Sequence, residues 1–178
     1  MNRDIRETFI TAQEIRERIK VLGKLISENY KDKDLVLVSI LKGSFIFAAD
    51  LIRSINNVSA IDFMVVSSYG AGVDTSGKVE IIKDLTYPIK DRHVLIVDDI
   101  IDSGTTLHYL KDYLKSRDPA SIEIAVLLDK PTRRKEKIEA DYVGFVVPNE
   151  FVVGYGLDYN EKYRELPYIG VLKPEAYN

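Results

Sequence analysis

Three carboxylates, Asp98, Asp99 and Asp102, follow an apolar run at residues 94–97 near the middle of the chain. The small residues that come next are Ser103, Gly104, Thr105 and Thr106. Backbone N–H groups and hydroxyls at the start of a helix bind phosphate, helped by the positive end of the helix dipole. Carboxylates accept hydrogen bonds from sugar hydroxyls or hold a hard divalent cation. The segment therefore predicts a site for a phosphorylated sugar.

The alternative interpretation of this segment is a solvated loop or helix cap, where acidic residues after a strand are common. That interpretation suits an isolated pair of aspartates better than three aspartates between an apolar run and a Ser-Gly-Thr-Thr turn. Two other nucleotide-binding motifs are missing from the sequence, the phosphate loop G-x-x-x-x-G-K-[ST] and the dinucleotide fingerprint G-x-G-x-x-G. The sequence therefore favours a compact sugar-phosphate site over either of those folds.

The elements around this segment alternate between helices and strands. Thr11 and Glu14 fit a capping box, and apolar residues follow at helical spacing, which predicts a first helix. Two more helices are predicted at residues 44–54 and 105–117. Short apolar strands are predicted at residues 35–40, 60–67, 79–82, 94–97, 122–128 and 142–147. The alternation predicts an α/β fold with a mainly parallel sheet flanked by helices, whose ligands bind beyond the carboxyl ends of the strands.

The composition limits the class of protein. The 178 residues suit one domain, and the absence of cysteine excludes disulfides, thiolate metal sites and a cysteine nucleophile. No apolar run approaches the roughly 20 residues that span a bilayer, and the first ten residues do not resemble a secretory signal. The net charge of −3 gives no expectation of a basic surface for nucleic acid. We therefore expect a cytoplasmic protein with no nucleic-acid or membrane partner.

Several separated motifs give the chain a resemblance to a known family. They are Leu41-Lys42-Gly43-Ser44, Ser67-Ser68-Tyr69-Gly70, residues 98–106, Leu127-Leu128-Asp129-Lys130 and residues 151–159. Residues 98–106 resemble the signature that binds 5-phosphoribosyl 1-pyrophosphate (PRPP) in type I phosphoribosyltransferases. From the first helix to Leu172, the chain resembles the hypoxanthine-guanine phosphoribosyltransferases of purine salvage. The resemblance implies transfer of the 5-phosphoribosyl group from PRPP to hypoxanthine or guanine, giving IMP or GMP and pyrophosphate.

The resemblance implies that the acidic segment binds the sugar phosphate. Asp98 and Asp99 would contact the ribose hydroxyls, directly or through Mg²⁺, and the family more often has Glu at position 98. Asp102 would be the catalytic residue, acting as general base toward the purine. The 5-phosphate would be bound by the turn that follows, Ser103, Gly104, Thr105 and Thr106.

The resemblance also implies a binding site for the leaving pyrophosphate. Lys42 and Gly43 would form a loop that contacts it, and the family often has a cis peptide bond before this lysine. Arg164 would reach the pyrophosphate from the carboxyl-terminal part of the chain. Asp158 would coordinate a second Mg²⁺, since this ion commonly bridges carboxylates and substrate phosphates.

The purine would be recognised by residues that come later in the chain. Lys130 would donate to the 6-oxo group, which favours hypoxanthine and guanine over adenine, because the 6-amino group of adenine is itself a donor. Phe151 would stack on the purine, and the backbone of Val152 would bind its edge. The glycine-containing stretch at residues 68–77 predicts a mobile loop, in which Ser68 and Tyr69 would belong to a lid over the reacting centre.

The resemblance further implies one domain over residues 1–178, with a small hood formed by the amino-terminal segment and about residues 148–178. Homodimers or homotetramers are usual in the family. The alternatives are a phosphoribosyltransferase for another base such as xanthine, an RNA-binding regulator of the same fold, and a catalytically inert PRPP-binding subunit. Asp102 argues against the regulator, which tends to carry a non-acidic residue there. His93, His108 and the basic run at residues 133–137 are interpreted as structural or solvated.

Overall fold

A computed structural model describes residues 3–68 and 79–177 of the chain. The strands are β1 (Ile5–Ile10), β2 (Leu35–Leu41), β3 (Val58–Ser68), β4 (Val79–Lys83), β5 (His93–Ile101), β6 (Ser121–Asp129), β7 (Tyr142–Val146), β8 (Val152–Val153) and β9 (Ile169–Leu172). The helices are α1 (Ala12–Asn29), α2 (Phe45–Ile52) and α3 (Thr105–Lys115), with 3-10 turns at Pro131–Arg133 and Pro174–Ala176.

Six strands form the main sheet, in the order β4-β3-β2-β5-β6-β7. All neighbouring pairs are parallel except β3 with β4, which are antiparallel at one edge. The predicted mainly parallel α/β fold is confirmed. The central strand β2 is a near-continuous apolar run with both faces buried, as expected for a strand covered on two sides.

The helices cover both faces of the main sheet. Helices α1 and α2 pack with one set of strand residues, including Leu35, Leu37 and Leu95, in one buried cluster. Helix α3 packs on the other face, where alternate strand residues such as Val36 and Ile96 point. No helix within the described residues is long and apolar enough to cross a membrane. The two clusters fix the sheet from both sides, and its carboxyl-terminal edge is left for ligands.

The predicted capping box at the start of α1 is confirmed. The side chain of Thr11 accepts from the backbone N–H of Glu14 at 3.2 Å, and the Glu14 carboxylate accepts from the backbone N–H of Thr11 at 2.8 Å. The two groups satisfy donors that the first helical turn would otherwise leave free.

A second, three-stranded sheet brings together parts of the chain that are distant in sequence. Its order is β1-β9-β8, with antiparallel pairing throughout. The sequence pattern predicts no strand at residues 5–10. The structure places β1 there because its edge pairs with β9, which lies about 160 residues later and cannot be recognised from local sequence.

Strand β5 is longer than predicted, and this changes the setting of the aspartates. The expected end at residue 97 is wrong, because β5 continues to Ile101 and Asp98 still pairs with Val126 of β6. Asp98 and Asp99 therefore lie within the strand, while Asp102 lies just beyond it. Aspartate is disfavoured in strand interiors, so local propensity suggests an earlier end for β5.

Candidate functional site

Two adjoining cavities lie at the carboxyl end of β5. The first has a volume of about 220 Å³, and its lining includes Gly43, Asp98, Asp99 and the turn at residues 103–106 except Thr105. The second has a volume of about 350 Å³, and its lining includes Lys130, Phe151 and Val152. Ile100 and Asp102 line both. The structure thus brings the predicted phosphate residues and the predicted base residues to either side of Asp102.

Asp98 and Asp99 carry two carboxyl groups into the first cavity from adjacent positions of β5. Burial raises the pKa of Asp98 well above its ordinary value, and the negative charge of Asp99 adds to this. Burial also raises the pKa of Asp99. Two crowded carboxylates are stabilised when a cation or several hydroxyl donors approach them. The pair is therefore suited to a divalent cation or to the hydroxyl groups of a sugar.

The described residues contain no group of three or more His, Cys, Asp or Glu side chains arranged to hold a metal ion. Mg²⁺ usually takes one or two carboxylates and completes its shell with substrate phosphates and waters. The chemistry of the donors is all oxygen, as this ion requires. Asp98 and Asp99 thus fit a cation that arrives together with a phosphorylated ligand.

The turn after Asp102 is a tight turn that leads into α3 and is centred on Gly104. Gly104 precedes α3 with φ of 82°, a conformation that favours glycine, and an added Cβ would lie 2.6 Å from the side chain of Ile138. The hydroxyl of Ser103 lies 3.2 Å from that of Thr105. The carbonyl of Ser103 accepts from the backbone N–H of Lys135 at 2.8 Å, so the turn is fixed to the segment that follows β6.

Gly43 approaches the aspartate pair so closely that a side chain fits only if the Asp99 carboxylate or the loop moves. A Cβ at this position would lie 1.8 Å from Oδ2 of Asp99. The peptide bond between Leu41 and Lys42 is cis, which confirms that expectation. Gly156, with φ of 103°, packs against the carbonyl of Gly43, since its Cβ would lie 2.1 Å from that oxygen. Main chain from β2 and from the segment after β8 therefore meet directly beside Asp99.

Lys42, Arg164 and Asp158 lie near this meeting point and are engaged with other groups. Lys42 is 66% exposed and its Nζ lies 3.1 Å from Oε1 of Glu161. Arg164 lies 2.9 Å from Oδ1 of Asp158 and donates to the carbonyl of Gly156 at 2.7 Å. Its Nε is buried without an acceptor in the described part of the chain. Arg164 is thus 19% exposed and held by Asp158 and Gly156 beside the meeting point.

The second cavity has a buried cation and an aromatic wall. Lys130 is 6% exposed and donates from Nζ to the carbonyl of Glu150 at 2.7 Å. Burial lowers the pKa of Lys130, and the nearby charge of Arg133 acts in the same direction. Val152 is buried in β8, and its backbone belongs to the three-stranded sheet. A flat ring with an oxygen acceptor would match Lys130 and the aromatic wall together.

The aromatic wall is larger than the sequence suggested. The ring of Tyr177 is stacked on that of Phe151, with centroids 4.8 Å apart and an angle of 17°. Tyr159 meets Phe151 edge-on at 5.4 Å. Phe151 nevertheless stays 38% exposed, which leaves ring surface for a ligand. Tyr177 carried no signal in the sequence, because its contact depends on the path of the carboxyl-terminal residues.

Asp102 lines both cavities and has one buried carboxylate oxygen beside a positive charge. Oδ1 lies 3.0 Å from Nε of Arg133, yet no described donor is aligned to make a hydrogen bond with it. Arg134 donates to the backbone carbonyl of Asp102 at 3.0 Å and pairs with Asp129. The interpretation of residues 133–137 as a solvated turn is therefore wrong for Arg134, whose side chain is 16% exposed and bonded to Asp102 and Asp129, whereas the side chain of Arg133 is 53% exposed.

Other residues of the second cavity were also missed by the sequence analysis. Ile100 and Leu157 contribute apolar surface, and Glu150 contributes the carbonyl that accepts from Lys130. Ile100 could have been found, because it stands between the three aspartates. Ser68 ends β3, but its side chain and the whole of Tyr69 lie outside what the structure describes, so the predicted lid stays a prediction.

A larger open groove, of about 1010 Å³, lies between α3 and the segment after β6. Its charged side chains are partly paired with one another, as Arg134 is with Asp129, and His108 lies 3.7 Å from Asp112. None of the predicted binding residues lines it. His93 begins β5, at the opposite end from the aspartates. The chemistry is therefore assigned to the two smaller cavities.

Known proteins share both the sequence and the shape of this chain. The family described as phosphoribosyl transferase domain matches residues 9–160. A hypoxanthine-guanine phosphoribosyltransferase of Staphylococcus epidermidis is 52% identical over 178 residues, covering 100% of this chain and 99% of that protein. The bifunctional protein TilS/HprT of Listeria monocytogenes is also 52% identical over the same 178 residues, which span 28% of its length.

A solved structure agrees with these relatives. The crystal structure of a hypoxanthine phosphoribosyltransferase from Staphylococcus aureus is 52% identical to this chain and superimposes with a TM-score of 0.95. The alignment covers 98% of this chain and 95% of that one. Similarity at this level extends over both sheets and both cavities.

Proposed function

The chain belongs to the hypoxanthine-guanine phosphoribosyltransferases, within the phosphoribosyl transferase domain family, and from this premise we propose that it transfers the 5-phosphoribosyl group of PRPP to hypoxanthine or guanine. In this reaction the bond from the anomeric carbon to pyrophosphate breaks, and a bond from the same carbon to a purine nitrogen forms. The products are IMP or GMP and pyrophosphate, which is a purine-salvage reaction.

The observation that carries the proposal is the shared boundary of the two cavities at Asp102. A sugar phosphate in the first cavity and a base in the second would meet at this residue. Its Oδ1 is buried beside Arg133, and the rest of its side chain, which is 38% exposed, can accept a proton or hydrogen bond from the base. Asp102 therefore acts as the general base of the transfer.

The first cavity holds PRPP. The turn formed by Ser103, Gly104, Thr105 and Thr106 binds the 5-phosphate at the start of α3, and Asp98 and Asp99 bind the ribose hydroxyls. The carboxylate at position 98 is one methylene shorter than the Glu that is more frequent in the family. Because Asp98 lies inside β5, its backbone is already close to the cavity.

Pyrophosphate is bound where the two sheets meet. Lys42 and Arg164 supply positive charge, and Gly43 lets the backbone approach. Both side chains now contact carboxylates, Lys42 that of Glu161 and Arg164 those of Asp158 and Glu161. The anionic substrate would exchange these contacts for its own oxygens. Ser68 and Tyr69 would close over the centre and exclude water.

Mg²⁺ accompanies PRPP and, when bound, neutralises charge on the leaving pyrophosphate. Asp98 and Asp99 would hold one ion from the ribose side. Asp158 would hold a second, once Arg164 has turned from it to the pyrophosphate. The oxygen donors present at these positions fit this assignment.

The second cavity selects the base. Lys130 donates to a 6-oxo group, Phe151 stacks on the ring, and the backbone at Val152 contacts the ring edge. The three-stranded sheet then serves as the hood of a single domain that spans residues 1–178. We further propose a cytoplasmic homodimer or homotetramer that takes small-molecule substrates and has no nucleic-acid or membrane partner.

Nucleotide formation from PRPP and Mg²⁺ tests the proposal, with hypoxanthine, guanine, xanthine, adenine and uracil offered separately. The unmodified chain, Asp102→Asn and Asp112→Asn are compared. Asp112 is a matched control, because its carboxylate is 69% exposed on α3. We expect turnover of hypoxanthine or guanine, lowered about 100-fold or more in Asp102→Asn and unchanged in Asp112→Asn.

Other outcomes would point to the alternatives. Turnover of xanthine or uracil alone would overturn the assignment of Lys130, Phe151 and Val152 and leave the PRPP side intact. Binding of PRPP without turnover of any base would favour an RNA-binding regulator or an inert subunit. A loss in Asp102→Asn that is matched by Asp112→Asn would remove the catalytic role from Asp102.

A further inference from the structure

We propose that Arg133 is a positioning residue, which orients the Asp102 carboxylate toward the incoming base; this rests on the proposed function. Nε of Arg133 lies 3.0 Å from Oδ1 of Asp102. The geometry is that of an ion pair without an aligned hydrogen bond, since Oδ1 is buried and has no donor bonded to it in the described residues. The arginine therefore holds one carboxylate oxygen in place, and the rest of the Asp102 side chain, which is 38% exposed, is left to accept from the base.

The other charged groups around Asp102 are committed elsewhere. Lys130 donates to the carbonyl of Glu150, and Asp158 is paired with Arg164. Arg134 is directed at Asp129 and at the backbone carbonyl of Asp102, not at its carboxylate. Among the described residues, Arg133 is thus the cation that contacts the Asp102 carboxylate directly.

The backbone around Arg133 is held on both sides. The 3-10 turn Pro131–Arg133 starts directly after Lys130, and the N–H of Arg133 donates to the Lys130 carbonyl at 3.2 Å. Arg134, the next residue, is fixed by its contacts with Asp129 and Asp102. Because the residues on either side are anchored, the backbone position of Arg133 is fixed. Its guanidinium reaches Asp102 from that position, although the side chain itself is 53% exposed.

This arrangement assigns different tasks to two consecutive arginines. Arg134 fixes the main chain of Asp102, whereas Arg133 restrains the direction of its carboxylate. A general base has to lie within hydrogen-bond reach of the proton that it accepts, and small displacements reduce the rate strongly. Loss of Arg133 should therefore lower the rate at which the purine reacts. PRPP, which lies in the first cavity, should bind nearly as before.

The test measures kcat and KM for hypoxanthine and for PRPP in Arg133→Met, Arg133→Lys and Lys135→Met. Lys135 is the control, because it lies in the same basic run and its exposed side chain makes no hydrogen bond or ion pair among the described residues. We expect Arg133→Met to lower kcat/KM for hypoxanthine about tenfold, with the KM for PRPP changed less than about twofold. Arg133→Lys, which restores a cation, should recover most of the loss, and Lys135→Met should match the parent.

A double-mutant cycle shows whether Arg133 acts through Asp102. In an Asp102→Asn background, Arg133→Met should change kcat/KM for hypoxanthine by less than about twofold, because the carboxylate that it orients is gone. An equal loss in both backgrounds, a PRPP KM that rises as much as the hypoxanthine KM, or no loss in the parent background would each overturn the proposal. Thermal unfolding of every variant shows whether a loss of activity comes from misfolding. If Arg133→Met is misfolded, the activity of Arg133→Lys tests the positioning role instead.

Failure of this proposal can be distinguished from failure of the proposed function. If Asp102→Asn slows turnover and Arg133→Met does not, the positioning role of Arg133 is wrong and the general base stands. If Asp102→Asn leaves turnover unchanged, the assignment of Asp102 is wrong, and the role of Arg133 is overturned with it.

Discussion

The two cavities are built in different ways although they share Asp102. The first is lined mainly by one continuous stretch, from Asp98 to Leu107, that runs from β5 into α3. The second is assembled from separate parts of the chain: the end of β5, the turn after β6, the segment around β8 and Tyr177. The continuous cavity carries the chemistry common to sugar-phosphate binding, and the assembled one can vary with the base. A local motif can therefore identify the first cavity but not the second.

We expect turnover to be more sensitive to substitutions in the first cavity than in the second. Gly43→Ala is the substitution with the largest expected effect. Its Cβ would lie 1.8 Å from Oδ2 of Asp99, so the carboxylate or the loop must move by about an ångström. A displacement of that size costs about 100-fold in turnover, which we expect to be measured as a lower kcat at saturating substrates.

Gly23→Ala is the matched comparison for Gly43→Ala. A Cβ there would lie 2.4 Å from the carbonyl of Ser54, far from both cavities. The variant should unfold at a lower temperature but keep its kcat per folded molecule. Equal kcat losses in the two variants would show that overpacking itself, and not the position of Asp99, explains the effect.

Asp98→Asn separates the function of the first cavity from its stability. The pKa of Asp98 is raised by burial and by Asp99, so its carboxyl group stabilises the fold below its unfolded pKa. That contribution is lost as the pH rises through the folded pKa. We expect Asp98→Asn to raise the unfolding temperature near pH 8, by an amount that shrinks toward about pH 4, while turnover falls about tenfold or more.

Calorimetric scans at the two pH values check the stability part of this prediction. Asp112→Asn, at an exposed carboxylate, should show no such pH-dependent gain. A lower unfolding temperature for Asp98→Asn near pH 8 would mean that the carboxylate pair stabilises the empty site, contrary to the direction of its pKa.

In the second cavity, truncating Tyr177 should have a smaller effect, and that effect should be confined to binding of the purine. Aromatic pairs contribute about 0.5–1.5 kcal/mol, so Tyr177→Ala should raise the KM for hypoxanthine about three- to tenfold by loosening Phe151. The KM for PRPP should stay within about twofold. Tyr177→Phe keeps the ring and should resemble the parent; if it behaves like Tyr177→Ala, stacking on Phe151 is not the cause.

The smallest effect is expected away from both cavities, at the capping box. Thr11→Ala removes the side-chain acceptor for the N–H of Glu14 and should lower the unfolding temperature by about 2–4 °C. Turnover per folded molecule should be unchanged. A clear loss of kcat would indicate that the start of α1 affects the geometry of the site. The effects of substitutions on stability and on turnover would then not be separable by their position.

The same contrast explains what the sequence could and could not predict. Strands β2, β5 and β6 are short apolar runs that are buried on both faces, and a pattern of this kind is visible locally. The sequence pattern ends β5 too early, because aspartates are unfavourable in strands, whereas Asp98 is held in β5 by pairing with Val126 of β6. The small sheet escaped pattern analysis because its pairing joins the two ends of the chain.

Prediction of the site divided in the same way. The residues 98–106 were recognisable as a sugar-phosphate motif from their types and spacing alone. Lys130 and Phe151 were proposed only through the resemblance to a family, since each is unremarkable by itself. Arg133 and Tyr177 were missed, because a basic run and a carboxyl-terminal tyrosine acquire a role only when the fold returns them to Asp102 and Phe151.

The common wall of Ile100 and Asp102 also bears on how the site could be blocked. Two weak ligands, an aromatic ring for one cavity and a phosphate mimic for the other, would be separated by little more than these side chains. Joining them by a short tether would make the second contact intramolecular, at an effective concentration of about millimolar or more. The affinity of the joined compound would then depend strongly on the length of the tether. The length that gives the highest affinity would indicate the distance between the two bound substrates.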